Sequence, residues 1–234
     1  QEHSSAASDV YKRQIKYNPK FELAYVNLGS IKIDLDKLAE AEKLFLNAIE
    51  INENYNVILV NLNKGEQFDE DFKKISPFSK IPVLRHDNQT IFESGAILIY
   101  LANLSGQFYG SNKNLTTQWL MAQMGYIGPM LGQHHQFHHY NSGKSEFGEQ
   151  RYFKIAETIY KNLDDHLSRN EYLADEYTIA DIATFPWIAR HPIHDIGLKN
   201  HKNLLRWYDQ ISHRPAVLKG YDLFKDGSMP PSVN

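Results

Sequence analysis

The sequence predicts an α/β part followed by an all-helical part. In the α/β part, Pro82 starts an apolar, β-prone run, and a polar turn over 87–89 separates it from a second run over 90–92. Proline suits the first residue of a strand because it cannot donate to a ladder, so this pattern indicates a hairpin. In the helical part, an apolar stripe runs along residues 147–167, and Thr178 with Asp181 forms a capping box at a helix start.

Composition limits the possible functions. The chain has 234 residues, of which 42% are hydrophobic, and this is enough for one large domain or two modest ones. The net charge of −3 indicates no nucleic-acid or membrane-surface partner. No apolar run approaches 18 residues, so no membrane-spanning helix is predicted. The absence of cysteine excludes disulfides, thiolate metal sites and a protein-borne thiol nucleophile. Without a secretory segment either, the expected location is the cytoplasm.

The N-terminal residues divide into two segments. Residues 1–10 lack apolar periodicity and are expected to be a disordered or artefactual leader. Residues 11–53 resemble a fragment of a tetratricopeptide repeat, and one such repeat cannot bury its own apolar face. Its signature positions hold Tyr25, Leu28, Gly29, Ala41, Phe45 and Ala48. The alternative is a strand over Ile31–Leu35 followed by a helix over 38–51.

Residues 54–106 carry the predicted α/β elements. A strand over Asn56–Leu62 is followed by a short helix over 68–75, which Ser76 and Pro77 end. The hairpin over 82–92 leads to an apolar helix that starts at or near Ser94 and ends near Gly106. Residues 107–114 are polar and are predicted to be a linker.

Residues 115–225 form the predicted helical part. Its helices cover 116–130, interrupted at Gly128–Pro129, then 147–167, 178–188 and 203–212. Arg214–Pro215 ends the last of these. Residues 226–234 contain two adjacent prolines and are predicted to be a loose tail.

The junction of hairpin and helix is the candidate binding site. Pro82 leaves the N–H and C=O of Ile81 free to pair with an extended peptide. The helix that starts near Ser94 offers free N–H groups to a carboxylate. Together these features suit a small acidic peptide.

Several motifs together resemble glutathione transferases. In order, they are Lys64-Gly-Glu-Gln-Phe, Ile75-Ser-Pro, Lys80-Ile-Pro, Phe92-Glu-Ser-Gly-Ala-Ile, Gly128-Pro-Met-Leu-Gly-Gln and Tyr177-Thr-Ile-Ala-Asp-Ile-Ala-Thr-Phe-Pro-Trp. The first four resemble the family's thioredoxin-like half and the last two its all-α half. The resemblance covers residues 55–224 and is closest to the bacterial nu class, which is related to the Ure2-like proteins. It implies glutathione as co-substrate and a homodimer.

The resemblance also implies a glutathione site. Its residues would be Gln67, Lys80, Ile81, Pro82, Glu93, Ser94 and Arg151. Ser94 would hold the γ-glutamyl carboxylate and Glu93 the ammonium, whereas Ile81 would pair with the cysteinyl backbone beside a cis Pro82. The other three are less specific, because lone polar residues on loops and helices are commonly just solvated.

In this family a first strand–turn–helix unit supplies the residue that steadies the glutathione thiolate. In the nu class that turn is of the Thr-Pro-Asn type, and this chain contains none, since the repeat-like segment stands in its place. No catalytic residue is therefore predicted. The leading hypothesis is disulfide reduction by the thiol of glutathione, with conjugation to an electrophile as an alternative. The rival hypothesis is a non-catalytic glutathione-binding or interaction scaffold, or a chimeric chain.

A histidine cluster raises the question of a metal. His134, His135, His138 and His139 form two pairs spaced i, i+4, which can share a metal ion. No carboxylate or cysteine completes the set, and the His-Glu-x-x-His pattern is absent, so no metal site is predicted. The resemblance instead places His134 and His135 at the mouth of the substrate cleft.

Overall fold

The structure, a computed structural model, describes Lys12, residues 55–223 and residues 227–233. The chain divides into two compact units, residues 1–59 and residues 60–234. The predicted leader, the repeat-like segment and the alternative strand Ile31–Leu35 lie outside the described residues, apart from Lys12. Where the second unit is described, a hairpin precedes a set of packed helices, in the order that the sequence predicts.

The α/β part closely follows the predicted elements. It contains α1 (Glu70–Ile75), β1 (Val83–His86), β2 (Gln89–Phe92) and α2 (Ser94–Ser105). The two strands are antiparallel, with Val83 opposite Phe92 and His86 opposite Gln89. Gly106 ends α2 in the left-handed conformation, with φ of 70°. Residues 107–112 then lead to the first helix of the helical part.

The strand predicted over Asn56–Leu62 is wrong. Residues 55–61 have no regular secondary structure, and a short 3₁₀ turn begins at Leu62. Extended backbone becomes a strand when a neighbour satisfies its N–H and C=O groups. Among the described residues only β1 and β2 pair in this way. Four of the five apolar side chains of the segment are accordingly exposed, with Ile58 at 80%, and Val60 is half-buried.

The helical part opens with one continuous run from Lys113 to Tyr140. Helices α3 (Lys113–Ala122) and α4 (Gly128–His134) are each followed by a π-helical segment, Gln123–Ile127 and His135–Tyr140. The predicted interruption at Gly128–Pro129 is absent: Gly128 keeps helical angles, with φ of −60° and ψ of −55°, and Pro129 comes just after the π-helical segment, so the helical run continues through both residues. A Cβ at Gly128 would lie 2.9 Å from the Trp187 ring, so the close approach there requires glycine.

The main core lies between three helices, α5 (Glu146–Leu167), α6 (Ile179–Ile188) and, further along the chain, Lys202–Ser212. The predicted stripe along α5 is confirmed, since Ile159, Leu163 and Leu167 are buried. The capping box at the start of α6 is also present. Its Asp181 is buried and accepts hydrogen bonds from Leu173 N (3.0 Å) and Trp207 Nε1 (2.8 Å), so one local cap also joins separate elements.

The C-terminal residues hold more structure than the sequence predicts. Helix α7 (His191–His194) precedes α8 (Lys202–Ser212), and α9 (Pro215–Tyr221) follows it. Pro215 therefore starts a helix as well as ending one. The tail predicted as loose is held at residues 227–233, because Tyr208 OH donates to Pro231 O at 2.7 Å and Val233 packs on the core. In the described ranges, no helix combines the length and apolarity needed to cross a bilayer.

Candidate functional site

The hairpin brings the two central pieces of the predicted site together. Because Val83 pairs with Phe92, the residues just outside that pair, Ile81–Pro82 and Glu93–Ser94, lie at the same end of the hairpin. The Ile81–Pro82 peptide bond is cis, as the family resemblance implies. Ile81 precedes β1 and is 49% exposed, and it lies at the end of the hairpin from which α2 starts.

Glu93 and Ser94 form the anion-binding end of this site. Glu93 caps α2 with a positive φ of 69°, which is unusual for a residue with a side chain. The first intrahelical bond runs from Ile97 N to Glu93 O, and among the described residues no hydrogen bond engages the N–H groups of Ser94 to Ala96. Unpaired N–H groups at a helix start are the kind of group that binds anions. Ser94 Oγ lies 3.8 Å from Met124 Sδ, a weak acceptor that a carboxylate can replace.

Gln67 and Lys80 lie on the two sides of α1. Gln67 is half-buried in the turn before α1, and its Oε1 has no hydrogen-bond partner among the described residues. Lys80 lies directly before Ile81 with an exposed side chain. Its backbone N–H donates to the Ser76 hydroxyl, and its backbone C=O accepts from the same hydroxyl. The sequence predicts Ser76 only as part of a helix end. The feature that could have indicated its contact with Lys80 is a polar residue directly before a proline.

Arg151 lies on the exposed face of α5, with its guanidinium 6.0 Å from the centre of the Tyr152 ring. It borders an open cleft of about 340 Å³, and the described residues that line this cleft all belong to α5. The other lining residues are Phe147, Gln150, Lys154 and Ile155. The cleft therefore has two cationic side chains and both polar and apolar lining residues, but no residue of the hairpin is among them.

The structure corrects the predicted placement of His134 and His135. Their exposed fractions are 0% and 6%, so neither lies at the mouth of a cleft. His134 Nε2 lies 2.8 Å from His194 O, and His135 Nε2 lies 2.6 Å from His194 Nε2. His194 Nδ1 lies 2.6 Å from the hydroxyl of Tyr160. The two histidines turn inward because these buried partners bond to the Nε2 atom of each ring.

The partners also fix where the protons are. A carbonyl can only accept, so His134 carries its proton on Nε2, and its Nδ1 is a buried acceptor that has no hydrogen-bond partner in the part of the chain that the structure describes. If the Tyr160 hydroxyl donates to His194 Nδ1, His194 donates from Nε2 to His135. Burial lowers the pKa of His135 to about 4 and of His194 to about 2, so both are neutral near pH 7.

The histidine rings of this cluster pack against one another or against a neighbouring aromatic ring. His134 and His138 are stacked with ring centres 4.8 Å apart, and His139 packs against Tyr140. Among the described residues, no group of three or more His, Asp or Glu side chains is placed so that it could hold a metal ion. The cluster is thus built from hydrogen bonds and ring packing.

Comparison with protein families gives two matches. Residues 36–103 match the model of the glutathione S-transferase N-terminal domain, and residues 133–215 match that of the C-terminal domain. The first match begins at residue 36, inside the segment that resembles a tetratricopeptide repeat.

Individual relatives give the same result. The disulfide-bond oxidoreductase YfcG of Escherichia coli (strain K12) is 37% identical over 185 residues, which cover 74% of this chain and 85% of that protein. A glutathione transferase structure from Pseudomonas putida, with one glutathione disulfide bound per subunit, matches with a TM-score of 0.67 and 36% identity, covering 71% of this chain and 79% of that one. Protein URE2 of Kluyveromyces marxianus is 26% identical over 218 residues, which cover 73% of this chain and 54% of that protein.

Proposed function

The chain belongs to the glutathione S-transferase family, and we propose that it binds glutathione and uses the peptide's thiol to reduce disulfide bonds. The proposal is carried by one observation: Ile81–Pro82 and Glu93–Ser94 meet at the same end of the hairpin. A peptide backbone partner and an anion-binding helix start are thereby side by side. A similar chain, YfcG, carries the name disulfide-bond oxidoreductase, and the similar Pseudomonas putida structure holds glutathione disulfide.

Each part of glutathione would have its own contacts. Ser94 and the free N–H groups of α2 would bind the γ-glutamyl carboxylate, and the exposed carboxylate of Glu93 would bind the ammonium. Ile81 would pair with the cysteinyl backbone through its N–H and C=O. Gln67 and Lys80 would contact the glycyl carboxylate, with Pro82 shaping the loop between them and β1. Arg151 would reach the ligand from α5.

The reaction follows thiol–disulfide exchange. The glutathione thiolate attacks one sulfur of the substrate disulfide, forms a mixed disulfide and releases the other sulfur as a thiolate. A second glutathione thiolate then attacks the mixed disulfide, giving oxidised glutathione and the second substrate thiol. Because the chain has no cysteine, every sulfur in this exchange belongs to a substrate. The protein's contribution would be to bind, orient and acidify the thiol. Conjugation of the same thiol to an electrophile would use the same site.

A second candidate is a non-catalytic glutathione-binding scaffold. It is favoured by the absence from the sequence of the Thr-Pro-Asn turn that steadies the thiolate in the nu class. Such a chain would keep the contacts at the hairpin end and lack turnover. Measurements of binding and of turnover separate the two candidates.

The first test is isothermal titration with oxidised and reduced glutathione. We expect micromolar binding by the wild-type chain and its loss when Glu93→Ala and Ser94→Ala are combined. Ser105→Ala is the matched control, because its hydroxyl bonds only to backbone at the far end of the same helix. A folded wild-type protein that binds neither form would contradict the proposal. Binding without disulfide reductase activity would select the scaffold.

We also propose a homodimer that forms through α2 and α3. This is supported by apolar side chains left exposed on α2, α3 and the π-helical segment after α3, which are Leu101, Leu104, Met121 and Tyr126. Burying such side chains against a second copy would remove apolar surface from water. A cytoplasmic location stays a prediction from composition.

A further inference from the structure

One buried hydroxyl, that of Ser76, holds the loop between α1 and β1. Ser76 Oγ donates to Lys80 O at 2.7 Å and accepts from Lys80 N at 2.9 Å. Ser79 N also donates to Ser76 O at 2.9 Å, which closes the turn between them. Ser76 is only 2% exposed, so water does not compete for these bonds.

These bonds decide which backbone groups the loop presents. Both polar backbone groups of Lys80 are occupied by the Ser76 hydroxyl. The next residue, Ile81, lies before the β1–β2 ladder, and within the described residues no hydrogen bond engages its N–H or C=O. Within the described residues, Ile81 therefore keeps both its N–H and its C=O unoccupied, and the residue as a whole is 49% exposed.

We propose that Ser76 is a positioning residue for the glutathione site: its hydroxyl fixes the Lys80 backbone so that Ile81 meets the cysteinyl backbone in the correct orientation. This inference rests on the proposed function. Ser76 would act through Ile81 and would not touch glutathione. Without the hydroxyl, the N–H and C=O of Lys80 would need new partners, and the loop that carries Ile81 would shift to find them.

The end of α1 does not explain this hydroxyl. The helix is already closed by Ser76 N, which donates to Phe72 O at 2.9 Å. That bond needs only the backbone, so any non-proline residue could make it. The Lys80 side chain is exposed and does not hold the loop either. The side chain of Ser76 thus serves to hold the backbone of Lys80, the residue directly before Ile81.

The test is titration of Ser76→Ala with oxidised glutathione, at a temperature where circular dichroism shows the variant folded. We expect binding at least about tenfold weaker than wild type, the effect of losing one well-made backbone contact. Ser212→Ala is the matched control: it is also a buried serine that donates to a backbone carbonyl, Asp209 O at 2.9 Å, but it lies in α8. Its dissociation constant should stay within twofold of wild type.

A second pair of variants isolates the hydroxyl. The side chains introduced by Ser76→Thr and Ser76→Val have the same shape, and only the first keeps the hydroxyl. The Ser76→Thr protein should therefore bind oxidised glutathione at least fivefold more tightly than the Ser76→Val protein. Ser76→Ala binding within twofold of wild type, or equal binding by the threonine and valine variants, would overturn the positioning role. If neither hydroxyl-free variant folds, Ser76 serves folding and the inference is also overturned. A wild-type chain that binds no glutathione would instead refute the proposed function, and this inference with it.

Discussion

Lowering the pH from 8 to 5.5 should destabilise the helical part through two buried histidines. Burial lowers the pKa of His135 to about 4 and of His194 to about 2, from an ordinary 6.5. The positive charges of Arg190 and neighbouring histidines act in the same direction. At pH 5.5 both histidines therefore remain neutral in the folded chain, whereas in the unfolded chain both become protonated.

The direction and the size of this change in the free energy of unfolding follow from the linkage between proton binding and folding. A histidine whose folded pKa is depressed contributes its full stability above the unfolded pKa, and that stability is lost as the pH falls below 6.5. At pH 5.5, one unit below that value, each histidine removes about 1.4 kcal/mol from the free energy of unfolding. The two together remove about 3 kcal/mol, a large part of the typical 5–15 kcal/mol. His134 and His191, whose pKa values burial also lowers, act in the same direction.

The assay is urea unfolding followed by circular dichroism at pH 8 and pH 5.5, for wild type, His135→Gln and His213→Gln. His135→Gln should reduce the pH-dependent loss by about 1.4 kcal/mol. His213→Gln should leave the loss unchanged, because that side chain is exposed. Asp181, whose pKa burial raises, contributes with the opposite sign, but it is the same in all three proteins. An equal pH-dependent loss in wild type and His135→Gln would refute the reasoning.

Three further substitutions test the fold and the assembly. Asp181→Ala should lower the free energy of unfolding by about 3 kcal/mol, because it leaves the buried donors Leu173 N, Thr178 N and Trp207 Nε1 without their acceptor. Urea unfolding at pH 8 measures this, and a loss below 1 kcal/mol would contradict it. Gly148→Ala should cost about 1–3 kcal/mol in the same assay, because its Cβ would overlap the Phe137 ring; unchanged stability would contradict it. Leu104→Glu should dissociate the dimer in sedimentation velocity, whereas Met229→Glu, at an equally exposed side chain, should not; wild-type sedimentation as a monomer would refute the dimer.

The elements that sequence predicted well have their partners nearby in the chain. Thr178 and Asp181 are three residues apart, so the capping box can be read from spacing alone. The hairpin is equally local, because a two-residue turn joins β1 to β2. The stripe on α5 depends only on the period of the helix itself. In each case the sequence already contains both halves of the interaction.

The elements that it missed depend on distant partners. Asn56–Leu62 has the composition of a strand, but no described residue completes its ladder. His135 bonds to His194, which is 59 positions away, and His194 in turn bonds to the hydroxyl of Tyr160. An i, i+4 pattern therefore could not show that the cluster is buried. The role of the Ser76 hydroxyl depends on a loop whose path the sequence does not give.

In the proposed site, affinity and turnover would depend on different parts of this chain. The contacts proposed at the hairpin end would act on the backbone and carboxylates of glutathione, and none of them is assigned to its sulfur. In the nu class the group that steadies the thiolate comes from a first unit whose Thr-Pro-Asn turn this sequence lacks. Contacts that are equal in the ground and transition states give affinity without raising the rate. A dissociation constant therefore tests the hairpin end, whereas the pKa of the bound thiol tests whether any residue of the chain replaces the missing turn. A bound thiol with an unchanged pKa would assign the chain to binding alone.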